Sequence, residues 1–153
     1  MKVFIAIIIV LLITGCSSDS NNSQESKSLE KNYSTTIVAM GDSLTQGQGV
    51  LKNESYPAIL QRKLDDVRVY NSGLSGETSN GALNRVEWVM KLEPDIVIVT
   101  TGANDAMRGI DLSITRSNIR EIVSYFKEQD VKVILSGLEI YENLGPEYVE
   151  EFE

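Results

Sequence analysis

The segment Gly41-Asp42-Ser43-Leu44 contains the residues whose types and order best suit chemistry. It follows an apolar run, residues 37–40, and precedes a segment with two glycines, residues 45–49. A serine that leaves a strand at a glycine-flanked turn holds its hydroxyl at the edge of a sheet, a setting that suits a nucleophile. The alternative is a serine that caps a helix or a turn, which is common. Ser43 is therefore a candidate nucleophile whose role depends on other residues.

Two later loops carry groups that stabilise a negatively charged oxygen. The loop of residues 73–78 contains two glycines, Gly73 and Gly76, and a glycine lets a backbone N–H approach a substrate oxygen closely. Asn104 lies in residues 102–105, where its side-chain amide is placed to donate to a developing oxyanion. Each has an ordinary alternative. The first is a tight loop ahead of a helix capped by Thr78, and the second is a turn that the asparagine side chain stabilises.

These loops are predicted to follow three consecutive strands of one sheet. The predicted strands are residues 36–40, 67–70, 95–101 and 131–135, and the predicted helices are residues 56–65, 78–92 and 113–129. We predict that Ser55 caps the first helix. The strand runs are continuously apolar, which is typical of parallel strands buried on both faces. The alternation of strands and helices predicts an α/β fold, a three-layer α/β/α sandwich with its site beyond the carboxyl ends of the strands.

The three loops together resemble the motif blocks of the GDSL or SGNH hydrolase family. The matching residues are Gly41-Asp42-Ser43-Leu44, residues 71–78 around Gly76, and Gly102 with Asn104-Asp105. Residues 143–148 further resemble the subgroup of arylesterases and acyl-CoA thioesterase I-like lysophospholipases. The resemblance implies a flavodoxin-like sheet and a serine hydrolase that acts on carboxylic esters or thioesters, of the acyl-ester, arylester or lysophospholipid type.

The resemblance also implies a role for each matched residue. Ser43 would attack the acyl carbon. The oxyanion would be held by the backbone N–H groups of Ser43 and Gly76 and by the Asn104 side chain. Asp42 and Asp105 would orient loops, and no metal or other cofactor is implied.

The family's last block, Asp-x-x-His, is absent, and the sequence contains no histidine. A serine hydroxyl needs an adjacent base to attack at neutral pH. We therefore expect an incomplete hydrolase that lacks its last helix and strand and turns over esters poorly. The alternative is a non-catalytic surface lipoprotein that binds an acyl or sugar-ester ligand. Glu139 and Glu142 are less suited as substitute bases, because a solvated carboxylate is weakly basic.

The N-terminus predicts export and a lipid anchor. The apolar run of residues 3–13 would rise about 16 Å as a helix, too short for the ~30 Å hydrocarbon core of a bilayer. Ile13-Thr14-Gly15-Cys16 resembles a bacterial lipobox, in which cleavage leaves Cys16 to be acylated. The alternative is an ordinary secretory signal with an incidental cysteine. The predicted organisation is a signal peptide (1–15), a lipid-anchored flexible tether (16–34) and an incomplete hydrolase domain (35–153).

The composition limits the partners of the protein. The 153 residues carry a formal net charge of −8, which argues against nucleic acid and against electrostatic binding to an anionic membrane. The single cysteine excludes an internal disulfide, and no cluster of residues has metal-ligand spacing. The expected partners are a small-molecule acyl ester or thioester and, through Cys16, the extracytoplasmic or periplasmic face of a bacterial membrane.

Overall fold

Four parallel strands form one sheet in the computed structural model, which describes residues 33–137 and 149–150. The strands are β1 (Thr35–Gly41), β2 (Val67–Gly73), β3 (Ile96–Thr100) and β4 (Lys132–Leu135). Their order in the sheet is β2-β1-β3-β4, and each neighbouring pair is parallel. The predicted parallel α/β sheet is confirmed. Because β1 lies between β2 and β3, the loops that follow these three strands meet at one edge.

Helices cover the sheet and follow the predicted alternation, with two additional short helices directly after β1 and β3. The helices are α1 (Ser43–Gln46), α2 (Tyr56–Lys63), α3 (Ser79–Leu83), α4 (Val86–Met90), α5 (Ala103–Met107) and α6 (Leu112–Glu128), with a 3₁₀ turn at Lys52–Glu54. The predicted single helix over residues 78–92 is wrong, because Arg85 has a non-helical backbone (φ −122°, ψ 13°) that separates α3 from α4. Ser55 is at the predicted N-cap position of α2, but its side chain makes no capping hydrogen bond, since its hydroxyl donates to the Lys52 carbonyl.

The core lies between the sheet and helices α3, α4 and α6. Val38, Ala39 and Met40 of β1 are all fully buried, and neighbouring residues of a strand point to opposite faces. Both faces of the central strand are therefore covered, as the continuous apolar run predicts. Ile122 and Phe126 of α6 are fully buried in this core. Ile119 and Val123 of the same helix are only half-buried, because the buried stripe of α6 continues through two polar residues, Thr115 and Asn118.

Helix α6 begins at a capping aspartate. Asp111 accepts a hydrogen bond from the Ser113 N–H at 2.7 Å. Hydrogen bonds from the Ser113 side chain and backbone lower the pKa of the Asp111 carboxyl below its ordinary value, because they stabilise the ionised form. The cap therefore fixes where the longest helix starts after the loop that carries Asn104.

Several sequence predictions concern residues that lie outside the described part of the chain. These are the signal peptide, most of the tether, Cys16, Glu139 and Glu142, and the motif at residues 143–148. Within residues 33–137 and 149–150, no helix combines the length and the apolar character needed to span a bilayer. β4 forms one edge of the described sheet, with Ile134 and Leu135 about half exposed.

Candidate functional site

Ser43 is the first residue of a one-turn helix that begins directly at the carboxyl end of β1. Asp42 precedes it and caps α1, because its Oδ1 accepts a hydrogen bond from the Leu44 N–H at 3.0 Å. Asp42 is 1% exposed, whereas Ser43 is half-buried. Asp42, and not Ser43, is therefore the residue that caps α1. No residue of the described part forms a hydrogen bond with the Ser43 hydroxyl. The serine side chain is therefore available for another partner.

Two glycines allow α1 to lie against the ends of β1 and β2. A Cβ added to Gly41 would collide with Thr45 Oγ1 and would lie 2.5 Å from the Thr100 carbonyl oxygen. A Cβ added to Gly73 would overlap the backbone nitrogen of Gln46 and lie 2.7 Å from its Cα. Any side chain at either position would push α1, and Ser43 with it, away from the sheet edge.

Asn104 connects the loop after β1 with the loop after β2. It lies in the first turn of α5, just beyond β3, and is 7% exposed. Its Nδ2 donates to the Glu77 carbonyl oxygen at 3.0 Å and contacts Asp42 Oδ2 at 3.4 Å. Glu77 follows Gly76 and Asp42 precedes Ser43, so Asn104 contacts a direct neighbour of each predicted partner. The Asn104 amide therefore bonds to two other loops. The alternative interpretation, in which the asparagine side chain stabilises its own turn, does not describe these contacts.

Gly76 adopts a conformation that favours glycine. Its φ of +75° is in the left-handed region, which residues with a Cβ rarely enter. Its carbonyl oxygen accepts a hydrogen bond from Arg108 Nη2 at 2.7 Å, and Arg108 immediately follows α5. The loop after β2 is thus held to α5 through Gly76 itself as well as through Asn104.

Asp105 joins three helices through a fully buried carboxylate. It accepts hydrogen bonds from the Ser79 N–H at 2.8 Å, the Ser79 hydroxyl at 2.5 Å and the Thr115 hydroxyl at 3.3 Å. Asn118 Nδ2 donates to Ser79 Oγ at 2.9 Å. Asp105 therefore ties α5 to α3 and α6. Sequence reasoning missed Thr115 and Asn118, although polar residues on the apolar stripe of a helix are a signal for such a network.

Arg85 is a second residue that sequence reasoning missed. Its Nε and Nη2 each lie 2.6 Å from a carboxylate oxygen of Glu77, in a bidentate pair. Its Nη1 donates to Ser72 Oγ at 2.7 Å, and its Nη2 donates to the Ser72 carbonyl at 2.8 Å. A longer contact of 3.5 Å reaches the Gly41 carbonyl. Arg85 therefore connects the ends of β1 and β2 with Glu77, the residue after Gly76. The sequence pattern that could have indicated this role is an arginine among the apolar residues of a predicted helix.

The described residues bring together all the predicted site residues that they include. Ser43, Gly76 and Asn104 lie on the loops after β1, β2 and β3, and Asp42 and Asp105 hold the same loops together. Among residues 33–137 and 149–150, no group of three or more His, Cys, Asp or Glu side chains is placed to hold a metal ion. A serine, a glycine loop and a carboxamide thus follow three neighbouring strands at one edge of the sheet, a combination of groups that suits attack on a carbonyl group.

Comparison with known proteins gives consistent matches to one group. A family model described as GDSL-like Lipase/Acylhydrolase family matches residues 39–152. Esterase TesA of Pseudomonas aeruginosa is 32% identical over 122 residues, covering 76% of this chain and 61% of TesA. Thioesterase 1/protease 1/lysophospholipase L1 of Escherichia coli is 31% identical over 119 residues, covering 76% of this chain and 57% of that protein. The chain thus spans less than two thirds of either relative.

A solved structure extends the similarity to three dimensions. AlinE4, described as an SGNH-hydrolase family esterase, matches with a TM-score of 0.73 and 35% sequence identity. The match covers 77% of this chain and 66% of AlinE4. At this identity the likeness includes sequence as well as fold.

The close contact at Gly73 predicts a matched pair of alanine variants. Gly73→Ala is expected to lower the free energy of unfolding by about 1–3 kcal/mol, because the added Cβ overlaps backbone atoms that have no rotamer to change. The control is Gly137→Ala, whose Cβ would have no atom of residues 33–137 or 149–150 within 4 Å. Urea denaturation of both variants measures the difference, and equal losses would show that close packing at Gly73 is not the cause.

The pair of Arg85 and Glu77 predicts a second comparison. Their side chains are 15% and 8% exposed, so Arg85→Met would leave the Glu77 carboxylate largely buried without its partner. We expect a loss on the order of 3 kcal/mol in the free energy of unfolding. Arg120→Met removes an exposed arginine from α6 and should change stability by less than about 0.5 kcal/mol. A small loss for Arg85→Met in urea denaturation would contradict the central place of this residue.

Proposed function

Because the chain belongs to the GDSL-like lipase/acylhydrolase family, we propose that it hydrolyses carboxylic esters or thioesters with Ser43 as the nucleophile. The observation that carries this proposal is the position of Asn104, whose amide contacts the neighbours of both Ser43 and Gly76. TesA is named an esterase, and the Escherichia coli relative a thioesterase and lysophospholipase. These names support carboxylic esters, thioesters or lysophospholipids as the substrate class.

In the proposed reaction, Ser43 Oγ attacks the acyl carbon, and the carbonyl oxygen becomes an oxyanion. The backbone N–H groups of Ser43 and Gly76 and the Asn104 side chain donate to that oxygen. The alcohol or thiol then leaves with a proton, and water releases the acid from the acylated serine. Donors that are already in place cost little reorganisation as charge develops, which is how such groups lower the barrier.

The contacts of Asn104 suit this role. The Glu77 carbonyl accepts one N–H of the amide at 3.0 Å and fixes its orientation. The contact with Asp42 Oδ2, at 3.4 Å, is longer than a normal hydrogen bond. A substrate oxygen would replace this weaker contact, so the amide would gain a partner in the transition state without losing a strong one.

The proposed reaction also needs a base that the 153 residues do not supply as histidine. We propose that Ser43 is activated by a group outside this sequence and that the chain by itself is impaired. The 153-residue chain should then hydrolyse p-nitrophenyl acetate only about 10³–10⁴ times faster than water does. Substrate binding and the oxyanion donors alone supply that rate enhancement.

We further propose that the protein is exported and held on a membrane by an acylated Cys16. The lipobox-like residues 13–16 and the polar segment that follows support this placement. A single acyl chain binds a bilayer only reversibly, so stable attachment needs the two or more chains of a full lipid anchor. The tether would then set how far the hydrolase domain reaches from the surface.

Labelling with a fluorophosphonate probe tests the nucleophile. The full-length gene product should be labelled at Ser43, because such probes react with activated serines, and Ser43→Ala should abolish labelling. Ser117→Ala, which changes an exposed serine of α6, is the control and should label normally. If the folded full-length protein is not labelled, the proposed hydrolase is wrong and the binding alternative is favoured.

Substitution of Asn104 tests the oxyanion donor. Asn104→Ala should lower kcat for p-nitrophenyl acetate by about 10²–10³ in the full-length protein, with a smaller change in KM. Asn118→Ala is a matched control, because Asn118 is also a buried asparagine whose amide donates to a neighbouring loop or helix. A similar fall in kcat for both variants would assign Asn104 a structural role only.

A further inference from the structure

A cavity of about 470 Å³ lies beside the proposed site and has no part in the reaction described above. It is lined by the end of α1, the loop after it, and one residue of the loop after β2: Gln46, Gly47, Gln48, Val50, Lys52 and Ser75. It is open to solvent, because all of its lining residues except Gly47 are exposed, and its volume is within the range of clefts that bind small molecules. The cavity is therefore large enough for a part of a substrate that extends beyond the reacting ester.

The wall of the cavity is joined directly to the proposed catalytic residues. The Ser43 carbonyl oxygen accepts hydrogen bonds from the N–H groups of Gly47 at 3.0 Å and Gln48 at 2.9 Å. Ser75 precedes Gly76, and its N–H donates to Gln46 Oε1 at 3.0 Å. The cavity residue Ser75 is thus the direct sequence neighbour of Gly76, and the cavity residue Gly47 lies one helical turn after Ser43. A substrate that extends from the reacting ester along the end of α1 would place a further group in this cavity.

The cavity presents donors rather than acceptors. Ser75 donates a hydrogen bond to the side-chain oxygen of each glutamine. Its N–H donates to Gln46 Oε1, and its hydroxyl donates to Gln48 Oε1 at 2.6 Å. The Nε2 groups of both glutamines and the Lys52 ammonium have no hydrogen bond or ion pair with a residue of the described part. Three donor groups therefore face no acceptor from residues 33–137.

The six residues that line the cavity carry positive charge and no negative charge. Lys52 is the charged residue among the six, and none of the six is acidic. The nearby Glu54 carboxylate accepts a hydrogen bond from the Leu51 N–H at 3.0 Å and forms no ion pair with Lys52 within 4.0 Å. The net charge of −8 repels anions at long range, but salt screens that repulsion beyond about 8 Å. Short-range donors therefore decide what binds in the cavity.

We propose that this cavity binds an anionic group, a carboxylate or phosphate, carried by the ester substrate. The inference rests on the proposed hydrolase function and narrows its substrate class to esters with a negative charge near the scissile bond. Lys52 supplies the opposite charge and the two glutamine amides supply hydrogen bonds, while Val50 contacts the apolar part of the same group. Lys52 is then a residue that sets specificity, separate from those that perform the reaction.

Matched ester pairs test the proposal in the full-length protein. With the charge on the alcohol part, the pair is 4-acetoxybenzoate and 4-acetoxybenzamide. With the charge on the acyl part, it is monophenyl succinate and phenyl succinamate. Lys52→Met should lower the ratio of kcat/KM for the anionic over the neutral ester by about fivefold in one of the pairs, the size of an exposed ion pair. The pair that responds shows which part of the substrate occupies the cavity.

Lys91→Met is the control for net charge, because it removes an equal charge from an exposed lysine that lies 3.9 Å over the Trp88 ring. It should leave both ratios unchanged. The proposal is overturned if Lys52→Met changes neither ratio, or if Lys91→Met changes them equally.

A binding measurement separates failure of this inference from failure of the hydrolase proposal. If the protein cleaves none of the four esters, the cavity is tested with benzoate and benzamide as probes, and the hydrolase proposal is judged separately by fluorophosphonate labelling of Ser43. Benzoate should shift the backbone amide NMR signals of Gln48 and Ser75, whereas benzamide and the Lys52→Met variant should show no such shift. Equal shifts with both probes, or a benzoate shift that survives Lys52→Met, would reject the anion site by itself.

Discussion

The contact between the backbone of α1 and the ends of β1 and β2 is the constraint on which the rest of the site depends. Gly41 and Gly73 allow it, because a Cβ at either position would occupy space that α1 already fills. The contact keeps Ser43 at the carboxyl edge of the central strand. The buried residues of β1 and β3 hold that edge in place from below, so packing in the core and chemistry at the edge are parts of one arrangement.

Buried polar groups connect the three loops once the glycines have brought them close. Asn104, Asp105 and Arg85 each contact residues of at least two other elements. Burial of an amide, a carboxylate or a guanidinium is costly without partners, and here their hydrogen bonds offset that cost. Such a network has few alternative arrangements, so the donors stay in one geometry. Rigid donors are what stabilisation of a developing charge requires.

The site and the adjacent cavity share structural elements but differ in chemistry. Ser43 and the loop of Gly76 belong to the proposed reaction centre, whereas Lys52 and the two glutamines line the cavity. Ser75 belongs to both regions, because it precedes Gly76 and binds both glutamine side chains. In the proposed function, the residues after α1 would decide which substrate is accepted, and the glycines and Asn104 would decide how it reacts.

The strands, their parallel arrangement and the edge that holds Ser43, Gly76 and Asn104 were readable from the sequence, because apolar runs and glycines report on local backbone and burial. The break at Arg85 was not readable, since a continuous helix satisfies the same local preferences. The bonds of Arg85 to Ser72, of Asp105 to Thr115, and of Asn104 to Asp42, 62 residues away in the chain, were decided only by the tertiary structure. Such pairs form when folding brings distant side chains together and removes the water that would otherwise satisfy them, and no local pattern specifies that event.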